Sequence, residues 1–146
     1  MTLYARGFED DQLNAAAEAV GADGFIARLP EGWEQNARER GAMLSVGQRQ
    51  LIAFMRAYLV QPTVLVLDEA TSSIDSESEQ LIQRATEAIT RGRTSLIVAH
   101  RLSTIRHADR IMVLDEGRLI QSGSHDALMG VEGMYKDLVL SQVETD

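Results

Sequence analysis

Val64-Leu65-Val66-Leu67-Asp68-Glu69 decides the fold of this chain. Four apolar residues in a row, with no polar alternation, predict a strand covered on both faces, as in the parallel sheet of an α/β layer. Two carboxylates close the run. Ligands bind at the C-terminal edge of such strands in open α/β sheets. Successive side chains on a strand point to opposite faces, so the two acids can take different jobs. One can orient magnesium and its waters, and the other can polarise an attacking water. The chain holds Val-Leu-Asp-Glu twice, however, so a strand ending in carboxylates is weak evidence by itself. The copy at Val113–Glu116 runs into Gly117-Arg118 and a second apolar stretch, and reads as a hairpin turn. The copy at Val66–Glu69 continues into Ala70-Thr71-Ser72-Ser73-Ile74-Asp75 and then a helical pattern. From these residues alone, a site role and a helix-capping or turn role for Asp68 and Glu69 both stay open.

Upstream, Leu44-Ser45-Val46-Gly47-Gln48 opens a helix predicted over Val46 to Val60, with Leu51, Ile52, Met55, Tyr58 and Leu59 on one face and Pro62 beyond its end. A serine- and glycine-bearing turn at a helix start presents backbone N–H groups to an anion. The simpler alternative is a capped helix start, with Ser45 accepting from a backbone N–H. That alternative leaves Gly47 unexplained, because glycine inside the first turn costs about 1 kcal/mol relative to alanine.

The remaining elements read outward from these two. Leu13, Ala16, Ala17 and Val20 recur at helical spacing from about Glu9, and Gly21 supplies a stop. Phe25, Ile26 and Leu29 form a short apolar face before the turn Pro30-Glu31-Gly32, and Trp33 to Ala42 reads as an ordered loop. After the strand, Ser76 and Glu79 fit a capping box ahead of Leu81, Ile82, Ala85, Ala88 and Ile89, a helix ended by Gly92. Ser95 to Ala99 is a second apolar strand leading to His100, for which a site role and an ordinary polar role both remain open. Ile111 to Leu114 is a third strand, turning at Asp115-Glu116-Gly117 into Leu119-Ile120. Short helices near Asp126–Met129 and Glu132–Val143 close the chain. His107 and His125 read as surface and turn residues, and Arg91, Arg93, Arg101, Arg106 and Arg110 as solvated charge. Strands alternating with helices imply an α/β layer with a mostly parallel sheet, preceded by a helical region of about 60 residues.

Composition narrows the function. The 146 residues carry 45% hydrophobic and 25% charged residues, enough for a substantial core and too few charges for wholesale disorder. A net charge of −8 argues against a general nucleic-acid or acidic-lipid binder. A nucleotide stays possible, because backbone amides and one metal ion hold a phosphate locally. The absence of cysteine removes disulfides and thiolate metal sites. No apolar run approaches bilayer length and no signal-peptide pattern opens the chain, so it reads as soluble by itself. Of the 14 basic residues only Lys136 is a lysine, and Tyr135 precedes it. A phosphate-binding loop of the G-x-x-x-x-G-K-[ST] type is therefore missing.

Taken together, LSVGQRQ, VLVLDEATSSID, SLIVAHRLSTI and ADRIMVLDEGRLIQSGSH, in that order, resemble the nucleotide-binding domain of ATP-binding-cassette (ABC) transporters. The wording, with Glu39-Arg40-Gly41 ahead of the LSVGQ turn, is most similar to exporters of the multidrug, lipid or peptide type. The resemblance covers essentially the whole chain. It implies a partial P-loop NTPase-like core, a mostly parallel sheet with flanking helices. Residues 1–61 match the helical subdomain with the signature motif, and residues 62–146 the second half of the catalytic core.

The resemblance also implies roles. Ser45, Gly47 and Gln48 match the signature motif, which contacts the γ-phosphate of ATP held by the opposite subunit. Asp68 matches the acid that holds Mg2+, usually through water, and Glu69 the general base for the hydrolytic water. Ser72 to Asp75 match a loop crossing the dimer interface, so Asp75 counts among the nucleotide-binding residues. His100 matches a switch histidine on the γ-phosphate. Glu39 to Gly41 match a segment touching the coupling helices of the transmembrane domain. The implied partners are those helices and a second nucleotide-binding domain, in a homo- or heterodimer at the cytoplasmic face of the cell (inner) membrane, with no nucleic acid.

One departure accompanies these matches. The family's phosphate loop, its adenine-stacking aromatic and its glutamine loop are absent, which implies the C-terminal part of an exporter ATPase domain. In a complete dimer that domain binds and hydrolyses ATP to drive export; alone, the chain is expected to be inactive. The alternatives are a fragment that binds in an ATP-dependent manner and completes a composite site on an intact subunit, or an inactive truncated product.

Overall fold

The computed structural model describes residues 7–35, 44–68, 76–99 and 102–143. They divide into two units, the first within residues 7–67 and 76–96 and the second made of residue 68 with 97–143.

The first unit is built on three mutually packed helices. Helix α1, Asp10–Val20, starts where Gln12 Oε1 accepts from the Glu9 N–H at 3.0 Å. Asp10 and Asp11 in its first turn complement the helix dipole. It stops at Gly21, whose φ of 71° lets the Ala22 N–H reach back to the Ala17 carbonyl at 2.8 Å. Its buried stripe is the one the spacing predicts: Leu13, Ala16, Ala17 and Val20. Short helix α2, Asp23–Ile26, adds Phe25 and Ile26 to the core. Trp33 lies in a 3-10 turn, Gly32–Glu34, rather than a loop, and its indole N–H donates to Asn14 Oδ1 of α1 at 3.0 Å. Helix α3, Val46–Val60, buries Leu51, Ile52, Phe54 and Met55. Helix α4, Ser76–Thr90, carries Ile82, Ala85 and Ile89 into the same cluster. The Arg93 guanidinium caps the end of α4 by donating to the Ile89 carbonyl at 2.7 Å, so Arg93 is more than solvated charge. The Ser76 side chain and residue 75 lie outside the described residues, and with them the expected capping box. As the pattern of the first 60 residues predicts, no strand occurs there among the described residues.

Strands β1, Val64–Asp68, and β2, Thr94–Val98, flank α4 in sequence and form a two-stranded parallel sheet. Leu65 is buried in the helical cluster and Leu67 packs against it. The expectation that β1 is covered on both faces is not met: Val64 and Val66 are 58% and 66% exposed. Leu96 and Val98 of β2 are exposed in the same way. The helices α1, α3 and α4 supply one covering layer, and among the described residues nothing supplies the other.

The second unit holds an antiparallel hairpin, β3, Ile111–Asp115, and β4, Arg118–Gly123. Glu116 and Gly117 turn it with φ of 45° and 75°, the paired positive values that suit a right-twisted two-residue turn. The second Val-Leu-Asp-Glu is thus the hairpin the sequence predicts. The register slips between Val113 and Leu114, a bulge that sets Leu114 opposite Leu119. Arg110 Nε reaches across to Ser122 Oγ at 3.0 Å. Helix α5, Leu102–Arg106, and helices α6, His125–Met129, and α7, Met134–Val143, complete the unit. Their core is Ile111, Val113, Leu128, Tyr135 and Val139, with Leu102, Ile105 and Met129 packed against it. The expected α/β layer is therefore present, as one parallel and one antiparallel pair rather than a single sheet. Among the described residues no helix is long and apolar enough to cross a membrane.

Candidate functional site

Four sequence-predicted site residues fall within the described residues. Ser45, Gly47 and Gln48 stand together at the start of α3, and Asp68 ends β1. Glu69, Asp75 and His100 lie outside the described residues, as does the segment Glu39 to Gly41.

The turn at Ser45 is a complete capping box. Ser45 has extended backbone, φ −64° and ψ 166°, and its Oγ accepts from the Gln48 N–H at 3.1 Å. Gln48 answers through its side chain, whose Oε1 accepts from the Ser45 N–H at 2.9 Å. The spacing S-x-x-Q carried this reciprocal pair in the sequence. A further contact had no sequence signal: Arg49 Nη1 donates to the Leu44 carbonyl at 2.6 Å and ties down the residue entering the turn. The simple reading of Ser45 as a helix cap is therefore true of this chain, whatever else the residue does.

The cap decides which donors remain. An α-helix leaves its first N–H groups without intrahelical acceptors. Here the N–H groups of Ser45 and Gln48 are taken by the box, and that of Arg49 donates to the Ser45 carbonyl at 3.0 Å. The Val46 and Gly47 N–H groups meet no acceptor among the described residues. They sit at the positive end of a fifteen-residue helix dipole. Ser45 is exposed, Gln48 half-buried and Gly47 buried, so packing already gives one reason for a residue without a side chain at 47. Helix-start N–H groups such as those of Val46 and Gly47, and a serine O–H, are of the type that can donate to an anionic oxygen.

Asp68 is exposed at the C-terminal end of β1. Among the described residues no group of three or more His, Cys, Asp or Glu could enclose a metal ion. A single strand-end carboxylate suits Mg2+, which keeps several waters and takes one or two carboxylates beside a substrate's phosphates. Lys136 is no substitute for a phosphate-loop lysine: it sits on α7, paired with Glu132 one turn away.

His125, read with His107 as a surface or turn residue, is half-buried at the start of α6, with Nδ1 at 2.7 Å from the Tyr135 hydroxyl. The two rings meet edge to face at 5.9 Å. Burial raises the Tyr135 phenol above its usual range, against the opposing pull of the Arg106 guanidinium. Nothing in the spacing of His125 and Tyr135 announces this pair, because α6 and α7 meet only through the fold.

The sequence profile of the ABC transporter family matches residues 8–72. An uncharacterised ABC transporter ATP-binding protein of Bacillus subtilis, YknV, is 53% identical over 136 residues, 93% of this chain and 22% of its own length. An ATP-dependent lipid A-core flippase of Alkalilimnicola ehrlichii is 55% identical over 127 residues, 87% of this chain and 22% of its own. Among solved structures, a bacterial Atm1-family ABC exporter with ATP bound superposes with a TM-score of 0.81 at 40% identity, over 94% of this chain and 24% of that one. The chain thus spans less than a quarter of the length of these relatives. With the signature-type turn and the strand-end aspartate both in place, the chain belongs to the ABC transporter family, as part of an exporter-type ATP-binding domain.

Proposed function

We propose that these residues form the C-terminal part of an exporter ATPase domain which, in a complete dimer, binds and hydrolyses ATP to drive transport across a membrane. One observation supports the reading: a complete capping box opens α3, and the N–H groups of 46 and 47 meet no acceptor among the described residues. Donors at a helix start suit a phosphate oxygen. In this scheme Ser45, Gly47 and Gln48 face the γ-phosphate bound on the opposite subunit, and Asp75 lies in the loop beside the shared interface. Asp68 would hold Mg2+, which would supply neutralisation of phosphate charge for transfer to water. Glu69 takes the proton of the attacking water, and His100 contacts the γ-phosphate. The partners are a second nucleotide-binding domain and the coupling helices of a transmembrane domain, at the cytoplasmic face of the membrane.

The test places these residues in an exporter-length protein with an intact phosphate loop. Glu69→Gln is expected to lower turnover by roughly 10²- to 10⁴-fold, the usual worth of a general base, while ATP still binds. Unchanged turnover would remove Glu69 from the mechanism. The 146-residue chain by itself is expected to show no magnesium-dependent turnover above background.

A second reading draws on the same turn. The chain docks on an intact subunit and completes one composite site through Ser45 and Gly47. Capture by such a subunit should then require ATP and weaken in Gly47→Asp, which sets a carboxylate against phosphate. Capture that ignores ATP would retire this reading.

A further inference from the structure

The start of α3 has a contact that the scheme above does not use. Leu44 is 7% exposed and lies in the core cluster with Leu51, Ile52 and Met55, so the chain enters the helix from a fixed point. The peptide unit that leaves Leu44 is held on both sides. Its carbonyl accepts from Arg49 Nη1 at 2.6 Å, and its N–H, that of Ser45, donates to Gln48 Oε1 at 2.9 Å. The next peptide unit is held by the same arginine, whose backbone N–H donates to the Ser45 carbonyl at 3.0 Å. A peptide unit is planar, so fixing its carbonyl fixes its N–H. The N–H of that second unit belongs to Val46, and the one after it to Gly47.

Arg49 therefore bonds two successive carbonyls, one through its guanidinium and one through its backbone. The backbone bond is the ordinary one of any helix. The side-chain bond answers a need that the cap creates. In the helical ladder the Leu44 carbonyl would take the Gln48 N–H, but the Ser45 hydroxyl oxygen has taken it at 3.1 Å. The guanidinium supplies the missing donor at a part-buried carbonyl, as a charge-assisted bond. Only the φ and ψ of Ser45, −64° and 166°, lie between the two held planes. Without the guanidinium, the first plane keeps one bond, to Gln48 in an exposed position. Helix ends fray from such points.

We propose that Arg49 is a positioning residue for the phosphate contact: by holding the Leu44 carbonyl, its guanidinium keeps the Val46 and Gly47 N–H groups in the orientation that meets a phosphate oxygen. The functional meaning rests on the reading of this turn as a γ-phosphate contact; the hold on the turn does not. Arg49 acts through the backbone and touches no nucleotide itself. An arginine that served only the stability of the unit would affect every protected amide of that unit alike. A positioning arginine affects the turn first.

The experiment has two arms. The first is amide hydrogen exchange by NMR on the 146-residue chain. Arg49→Met keeps the aliphatic stem and removes the donor. The Ser45 and Gln48 N–H groups are expected to exchange about tenfold faster, the worth of one hydrogen bond. The Ile89 N–H and the Trp33 indole N–H, in the same unit, should keep their rates. Unmoved Ser45 and Gln48 rates overturn the proposal, and so does an equal rise at all four groups. If Arg49→Met does not fold, Arg49→Gln is read in its place with the same outcomes. The second arm is an exporter-length protein with an intact phosphate loop. There Arg49→Met is expected to lower kcat about tenfold, while ATP still binds to the untouched phosphate loop. Arg49→Lys restores a charged donor and should recover most of the Ser45 protection and most of the turnover together. Turnover recovered without Ser45 protection would mean that charge, rather than position, matters, and overturns the proposal. Gly47→Asp tests the reading underneath: full turnover in that variant discards the γ-phosphate role, while the exchange rates still decide whether Arg49 holds the turn.

Discussion

Removing the Ser45 cap separates what the turn does for the fold from what it does for a ligand. Ser45→Ala deletes the acceptor at 3.1 Å from the Gln48 N–H and leaves that donor to water. An N-cap serine replaced by alanine costs about 1 kcal/mol, and the exposure of Ser45 gives no reason to exceed it. For a unit of this size that lowers the melting temperature by about 4–8 °C. Gln48→Ala removes the reciprocal bond at 2.9 Å, to an N–H that water can reach, so about 0.5 kcal/mol is expected. The two bonds share one turn, and the double variant should lose less than the sum. Ser45→Asp keeps the acceptor and adds a charge that the helix dipole favours, so its stability should lie within about 0.5 kcal/mol of wild type. That same charge repels a phosphate at the Val46 and Gly47 N–H groups. Urea unfolding followed by Trp33 fluorescence reports on this unit, because Trp33 is bonded to Asn14 and packed against its core. The combination to look for is a stable Ser45→Asp that no longer associates in the presence of ATP, beside a destabilised Ser45→Ala. A Ser45→Ala midpoint that does not move, at unchanged denaturant slope, would refute the claim that the box holds the turn.

Other outcomes follow from named contacts. Ile89→Ala, at a side chain with no exposure on α4, should cost about 2–5 kcal/mol by thermal or urea unfolding, since the three helices around it cannot all close the gap. Gly133→Ala should destabilise the second unit by driving the Gln121 amide off the Tyr135 N–H; Gln121→Ala should relieve the steric part and leave the cost of the positive φ, as read by hydrogen exchange at Tyr135. Because burial raises the Tyr135 phenol above its unfolded value of 10.0, its contribution to stability is fully present below about pH 10 and is lost as pH rises through the folded value. Tyr135→Phe should flatten that alkaline limb in a pH series of melts.

Legibility in the sequence followed the range of the forces involved. Helix α3 was readable at both ends because its signals are local: a serine three residues before a glutamine, an apolar stripe, a proline beyond the last turn. The hairpin at Asp115–Arg118 was readable for the same reason, since two residues with positive φ next to apolar runs have few other uses. The His125–Tyr135 contact was not, because it joins elements whose meeting depends on the Gln121 and Gly133 contacts. The polar neighbours of Trp33 suggest a loop and mask a side chain whose indole N–H bonds to Asn14 of α1. Within the site, the donor geometry of Ser45 to Gln48 could be anticipated from spacing, but not which N–H groups would remain unclaimed. Asp68 ends its strand where the pattern put it. The roles proposed for Glu69, Asp75 and His100 rest on motif order.

The exposed valines of β1 bear on what these residues are built for. An amphipathic strand alternates apolar and polar residues when one of its faces meets water. Val64 to Leu67 does not alternate, and Ser95 to Val98 is apolar in three of four positions. Yet Val64, Val66, Leu96 and Val98 are each about half exposed or more, while Leu65 is buried among the helices. Such side chains gain roughly 1.5–3 kcal/mol each on full burial, so the uncovered face forgoes several kcal/mol that the sequence is composed to collect. It also leaves apolar strands open to pairing with other chains. Scattered apolar side chains at a surface need no explanation; four on two paired strands do. The face carrying Val64, Val66, Leu96 and Val98 is thus composed for burial against a further layer, which among the described residues is not supplied.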